Sequence, residues 1–263
     1  MADYIPKIEI IGSPVTALTF TQQMQQIVSW AQARSSRCVC VANVHMLMEA
    51  YWRSDLKDIL RQADIVSPDG TPLVWMMRLI GAPRQDRVAG FDILEAIAKR
   101  CSNTEVSLFF VGSEQHVLDK MRQRLLRDFP NVTIAGMQPL PFRPLTRAED
   151  SDLIEQINNS GAGIVFVSLG CPKQEYWMGQ HRGKISAVMV GLGGAFSVYA
   201  RIHKRAPRFI RDLGLEWFYR LIQEPKRLWK RYSATIPPFL WLAIKQLWGR
   251  RRAQKISETK SAG

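Results

Sequence analysis

Two short, apolar, β-branched runs, residues 164–169 and 187–190, each stop at glycine: Gly170 after the first, then Gly191, Gly193 and Gly194 after the second. The chain between them is enough for one helix. A short buried strand, a glycine turn, a helix and a second buried strand read as a βαβ unit, and such a unit needs a parallel sheet. Ligands of such sheets bind outside the carboxyl ends of the strands, which is where these glycines fall. Gly112 closes another apolar run, 105–111, in the same manner.

The rest of the chain fits this pattern. Strands are predicted at 7–11, 37–42, 64–68 and 132–135, and helices at 21–33, 44–52, 55–63, 71–80, 91–101, 114–128 and 147–158. This alternation predicts an α/β fold: a doubly wound, mostly parallel, Rossmann-like sheet. The 263 residues suffice for one such domain, 1–206, and a helical appendage, 207–263. In the appendage, helices are expected at 207–222 and 225–232, followed by an apolar run at 236–248.

Charge sets the appendage apart. Of the net +13, residues 208–263 hold +9, from 13 Lys/Arg against 4 Asp/Glu, and four of the eight tryptophans (Trp217, Trp229, Trp241, Trp248) are there too. The 236–248 run is too short to span a bilayer, which takes about 20 apolar residues. Bracketed by Lys230, Arg231, Arg250, Arg251 and Arg252, it reads as an amphipathic segment on an anionic membrane surface, or as a helix packed on the domain. Arginine with tryptophan also suits nucleic acid, but no nucleic-acid motif is present.

Candidate chemistry gathers at strand ends. Asp69, in Ser-Pro-Asp-Gly, can face a cleft and act as a general base on a hydroxyl; the alternative is a plain turn. Asn43 can orient a sugar hydroxyl or cap a helix. Pro172 suits the first position of the next helix, where unpaired N–H groups and Lys173 favour an anion such as a pyrophosphate; the alternative is a capped helix with a solvated Lys-Gln-Glu surface. Asp150-Ser151-Asp152 spells a DxD, but its place at the start of a polar helix favours capping over metal binding. Neither the four histidines nor the four cysteines have metal-ligand spacing. No G-x-S-x-G, P-loop or Rossmann glycine fingerprint occurs, which weakens hydrolase, NTPase and dehydrogenase readings. The N-terminus carries no signal-peptide pattern.

Asn43, SPDG (67–70), RVAG (87–90), FVSLGCPKQE (166–175), VGLGGAF (190–196), KRAP (204–207) and GLEWFYRLIQEPKRLWKRY (214–232) occur in one order. In this the chain resembles the WecG/TagA/CpsF glycosyltransferases over residues 8–232. The resemblance implies an inverting hexosyltransferase, without a bound metal or cofactor. It would move a sugar from a UDP-sugar to a polyprenyl-diphosphate-linked saccharide, as a peripheral protein on the cytoplasmic face of the plasma membrane. It implies Asp69 as catalytic base and Asn43, Arg87 and Gln174 around the sugar and diphosphate. Gly191, Gly193 and Gly194 would lie near the nucleotide. Gly112, Gly170 and Lys173, read from strand ends and the helix start, are the further substrate-binding candidates. Arg220, Arg227 and Arg231 would close over the diphosphate. Val41 and Ser197 stand where many members have Thr and Asp. The chain looks nearest to a GumM-like branch, implying glucose transfer in exopolysaccharide assembly. An N-acetylmannosaminyl or N-acetylmannosaminuronyl donor is the alternative within the family, and a homo-oligomer is left open. A nucleic-acid-binding protein and a catalytically idle scaffold are the rivals from other classes.

Overall fold

The computed structural model describes the backbone of residues 5–261 and the side chains of residues 5–250. It opens with a hairpin, β1 (Lys7–Ile10) and β2 (Ser13–Thr16), paired antiparallel. Its two-residue turn puts Ile11 and Gly12 at φ 49° and 75°, the left-handed geometry that matches strand twist. The sequence reading found the first strand but not the second.

After α1 (Phe20–Gln32) come β3 (Arg37–Ala42), α2 (Val44–Trp52), α3 (Ser54–Gln62), β4 (Ile65–Pro68), α4 (Thr71–Ile80) and α5 (Gly90–Cys101). Then follow β5 (Leu108–Gly112), α6 (Gln115–Asp128), β6 (Ile134–Gln138), α7 (Arg147–Asn159), β7 (Ile164–Ser168), α8 (Lys173–His181) and β8 (Val188–Gly191). The chain goes on through α9 (Ala195–Tyr199), α10 (Arg208–Asp212), α11 (Glu216–Gln223) and α12 (Pro225–Ser261).

Strands β3 to β8 form one parallel sheet in the order β4-β3-β8-β7-β5-β6. Alternate side chains feed two cores. Cys38, Cys40, Val165, Val167 and Met189 pack with α2, α3, α4, α7 and α8; Val39, Val41, Ile164, Phe166, Val188 and Val190 pack with α1, α5, α6 and α9. Both faces are covered, so the strands read as unbroken apolar runs. The Thr16 hydroxyl accepts from Val66 N at 2.9 Å, so the hairpin covers the exposed edge of β4.

Strand β6 begins at Ile134, not at Val132 as predicted, because the Val132 N–H is spent in a turn on Phe129 O. Gly136 follows a register shift and sits where a Cβ would come 2.2 Å from the Phe109 ring.

The tail differs most. The helix expected at 207–222 breaks at Gly214 (φ 73°) into α10 and α11. The segments expected at 225–232 and 236–248 are one helix running through Pro237 and Pro238. Each proline removes a helical N–H, but burial of Thr235, Phe239 and Ala243 and packing on α2 hold the helix together. Gln246 clamps the hairpin by accepting from Ile11 N at 2.9 Å and donating to Glu9 O at 2.7 Å, and Arg250 donates to Ile80 O. The segment thus packs on the domain, while Trp241, Ile244 and Trp248 stay exposed on its other side. Arg251 and Arg252 lie outside the described side chains. Among the described residues, no helix is long and apolar enough to cross a membrane.

Candidate active site

Strand β8 lies between β3 and β7, and the chain leaves it for α9 on one face of the sheet while β3 and β7 lead to α2 and α8 on the other, which opens a crevice at the carboxyl ends of the strands. A cleft of about 440 Å³ occupies it. Asn43 after β3, Asp69 after β4, Gly170 after β7 and the glycine turn after β8 form its floor, and α11 and α12 cover it with Arg220, Arg227, Arg231 and Tyr232. Strand ends and terminal helices, distant in sequence, thus meet around one space.

Asp69 is fixed by its own N–H, which donates to Ala42 O at 2.8 Å. Its carboxyl is partly exposed to the cleft. Burial pushes its pKa up to about 6, with Arg87 opposing the rise and Glu216 adding to it. Arg87 Nε stands 3.7 Å from Asp69 Oδ1, while its Nη2 donates to Glu216 Oε2 at 2.6 Å. A carboxylate with a pKa near neutrality can accept a proton from a hydroxyl and still be ionised at pH 7. Asn43 caps α2, its Oδ1 accepting from Met46 N at 3.2 Å, and it also lines the cleft.

The cover is strongly cationic. Arg231 is largely buried, with no partner for Nε, and burial together with Arg227 and Arg220 pushes its pKa down. Arg227 holds Glu224 at 2.5 Å. Three guanidinium groups converging on one cleft repel one another until an anion fills it, and their forked donors suit a diphosphate. His45 also lines the cleft, its pKa pushed down to about 4 by burial and by Arg231 and Arg53, so it is neutral at pH 7.

Gln174 lines the cleft as expected, buried beneath the β8 turn. Lys173 does not: it is exposed and lies outside the cleft lining. Pro172 is the cap residue and not the first helical residue. Gly112 is also outside the lining; a Cβ there would meet Ser168 O at 2.6 Å, so its role is packing between β5 and β7. The DxD does not cap α7. Thr146 and Glu149 form that capping box, and Asp150 pairs with buried His181 at 3.0 Å. No three His, Cys, Asp or Glu side chains among the described residues gather as a metal site.

His45, Glu216, Tyr232 and Arg205 line the cleft without having been singled out from the sequence. Glu216 stands inside the quoted 214–232 motif, and its reach to Arg87 spans 129 residues.

The sequence model of the glycosyl transferase WecG/TagA/CpsF family matches residues 8–253. The chain belongs to the WecG/TagA/CpsF family. Proteins of Bacillus spizizenii and Bacillus subtilis, each an N-acetylglucosaminyldiphosphoundecaprenol N-acetyl-beta-D-mannosaminyltransferase, are similar to it. The first is 34% identical over 79% of this chain and 78% of its own length, the second 32% identical over 79% of each. A Staphylococcus aureus protein of the same name is 26% identical over 91% of this chain and 92% of its own. The match extends past Arg231, so the cationic cover belongs to the family region along with the strand ends.

Proposed function

We propose that this WecG/TagA/CpsF member is an inverting, metal-independent hexosyltransferase that moves a sugar from a UDP-sugar to a polyprenyl-diphosphate-linked saccharide. One observation carries this reading: Asp69, with its raised pKa, faces the same cleft as Arg220, Arg227 and Arg231. Asp69 takes the proton of the acceptor hydroxyl as its oxygen attacks the anomeric carbon. The bond from that carbon to the diphosphate oxygen breaks, and the arginines hold the charge that develops on the leaving UDP. Preorganised guanidinium groups supply the positive charge that a divalent ion supplies elsewhere.

N-acetylmannosamine is the better-supported sugar, since the similar bacterial proteins carry it in their names, and N-acetylglucosaminyl-diphosphoundecaprenol is the acceptor class they suggest. Glucose, expected from the GumM-like resemblance, is the second reading. It draws on Val41, an apolar side chain in the cleft wall where a hydroxyl would read an extra substituent. Against the nucleic-acid reading, Arg220, Arg227 and Arg231 of the tail line this cleft together with Asp69.

The cleft runs on past Thr235 to Ile236, Phe239 and Leu240, an apolar end suited to the first units of a polyprenyl chain. The outer face of α12, with Trp241, Ile244 and Trp248, would lie against the membrane that holds that lipid. Residues 207–263 would then act as the cover and membrane seat of a 1–206 core.

UDP release by detergent-solubilised protein tests the reading, with UDP-N-acetylmannosamine, UDP-glucose and UDP-galactose, each with and without polyprenyl-diphosphate-linked N-acetylglucosamine. Acceptor-dependent release that survives EDTA is the expected result. Absence of release with every pair overturns it.

A further inference from the structure

Gln174 and Glu175 stand in the first turn of α8, beneath the glycine turn that follows β8. Both are buried, 4% and 0% exposed. The Gln174 amide lies in a slot that only glycines leave open. A Cβ on Gly191 would come within 2.9 Å of Nε2, and one on Gly193 within 3.2 Å of Oε1. Nε2 donates to Glu175 Oε1 at 2.8 Å. Oε1 has no partner in the protein, and Gln174 borders the cleft.

The two ends of a carboxamide are nearly equal in size, so packing alone does not decide which end points where. Its hydrogen-bond partner decides. An ionised carboxylate can only accept, so Glu175 takes the NH₂ end and leaves the carbonyl as the end available to a ligand. An unpaired buried carbonyl is costly unless a donor arrives to meet it. A donor substrate rich in hydroxyl and N–H groups supplies one.

We propose that Glu175 is a positioning residue for donor recognition: it holds the Gln174 amide so that Oε1 accepts a hydrogen bond from a hydroxyl or N–H of the nucleotide sugar. The assignment rests on the nucleotide-sugar reading above. Glu175 touches no substrate and acts through Gln174.

The same arrangement gives recognition a pH sense. The groups that face Glu175 are the Cys171 thiol from the β7–α8 loop, Cys40 from β3 and Arg231 from α12. Burial pushes the Glu175 pKa up to about 7 against the pull of Gln174 and Arg231. A protonated carboxyl can donate to the amide oxygen. The amide then turns over and offers the ligand NH₂ where it needs an acceptor, so nucleotide-sugar binding weakens as pH falls through about 7.

Calorimetric titration of UDP-N-acetylmannosamine and UDP-glucose into the full-length wild type, Gln174→Ala, Glu175→Gln and the double variant, between pH 6 and 8.5, tests this. Gln in place of Glu175 keeps the shape but can donate or accept, so the neighbouring amide loses its preferred sense. The expected result is binding about twofold weaker at pH 8 in Glu175→Gln, because an amide without a preferred sense is competent in only about half of the molecules. Its pH dependence should be flat from 6 to 8, and the double variant no weaker than Gln174→Ala alone. A merely structural role would give additive losses and leave the wild-type pH dependence in place. Either that pattern or wild-type affinity in Glu175→Gln overturns the assignment. Wild type that binds neither nucleotide sugar overturns the assignment and the proposed function together. Binding without transfer overturns only the transfer reading, and the variants still decide the role of Glu175.

Discussion

Arg87 donates to Glu216 at 2.6 Å across 129 residues of chain and so ties the loop between α4 and α5 to the helix that roofs the cleft. The pair also keeps the guanidinium from closing fully on Asp69, where its nearest approach is 3.7 Å. Burial raises the Asp69 pKa, and the charge of Glu216 adds to the rise.

Glu216→Gln should therefore lower the pKa of Asp69 below its value of about 6. The base works as the carboxylate, so wild-type transfer falls as pH drops through about 6, and the variant should keep its activity to lower pH. The profile of kcat/KM against pH from 4.5 to 8 reads this out. An acid limb that stays in place removes the Glu216–Arg87–Asp69 coupling from the mechanism.

Asp69→Asn keeps the shape of the turn and removes the proton acceptor. Transfer should fall roughly 10²- to 10⁴-fold, the usual worth of a general base. UDP affinity, measured by calorimetry, should change little, because on the proposed reading the α11 and α12 arginines hold the diphosphate. Wild-type turnover in this variant would exclude Asp69 as the base.

Arg231→Lys retains the charge but not the fork of donors. Loss of one charge-assisted hydrogen bond predicts about a 10- to 100-fold weaker grip on UDP. Added salt should not restore it, since the missing quantity is geometry. Unchanged affinity would mean that the diphosphate sits elsewhere.

The outward face of α12 can be tested without disturbing its packed face. Trp241→Ser, Ile244→Ser and Trp248→Ser together alter side chains that are 62%, 51% and 64% exposed. Co-sedimentation with anionic liposomes should drop sharply while thermal unfolding shifts little. Phe239→Ala, by contrast, empties a buried site and should cost ~3–5 kcal/mol of stability. Deleting 233–263 would mix the two effects, because it strips Phe239 and Ala243 from the core. Undiminished liposome binding by the serine variant would refute the membrane seat.

The strand ends were legible because a strand buried on both faces must be apolar along its length and must stop where the backbone turns; Asn43, Asp69 and Gly191 were found that way. Strand β2 was missed because Pro14 within Ser-Pro-Val-Thr argues against a strand, and in a two-stranded hairpin, where a strand has a ladder on one side only, that objection carries little weight. Pro237-Pro238 reads locally as a stop, yet contacts with α2, far away in sequence, override it. Lys173-Gln174-Glu175 has the composition of a solvated surface, and only Lys173 proves to be solvated. Whether a carboxyl two residues from a lysine faces water or a buried amide is settled by what the sheet brings beneath it, and no local pattern carries that.

Gln246 grips the backbone of residues 9 and 11, and Arg227 and Arg231 enter the cleft from the same helix. During synthesis the floor at Asp69 and Gln174 emerges from the ribosome well before this helix does. Until residue 246 has cleared the exit tunnel, a growing copy has a crevice without its cationic cover. On the proposed reading, translation itself therefore delays the moment at which a new molecule can compete for nucleotide sugar.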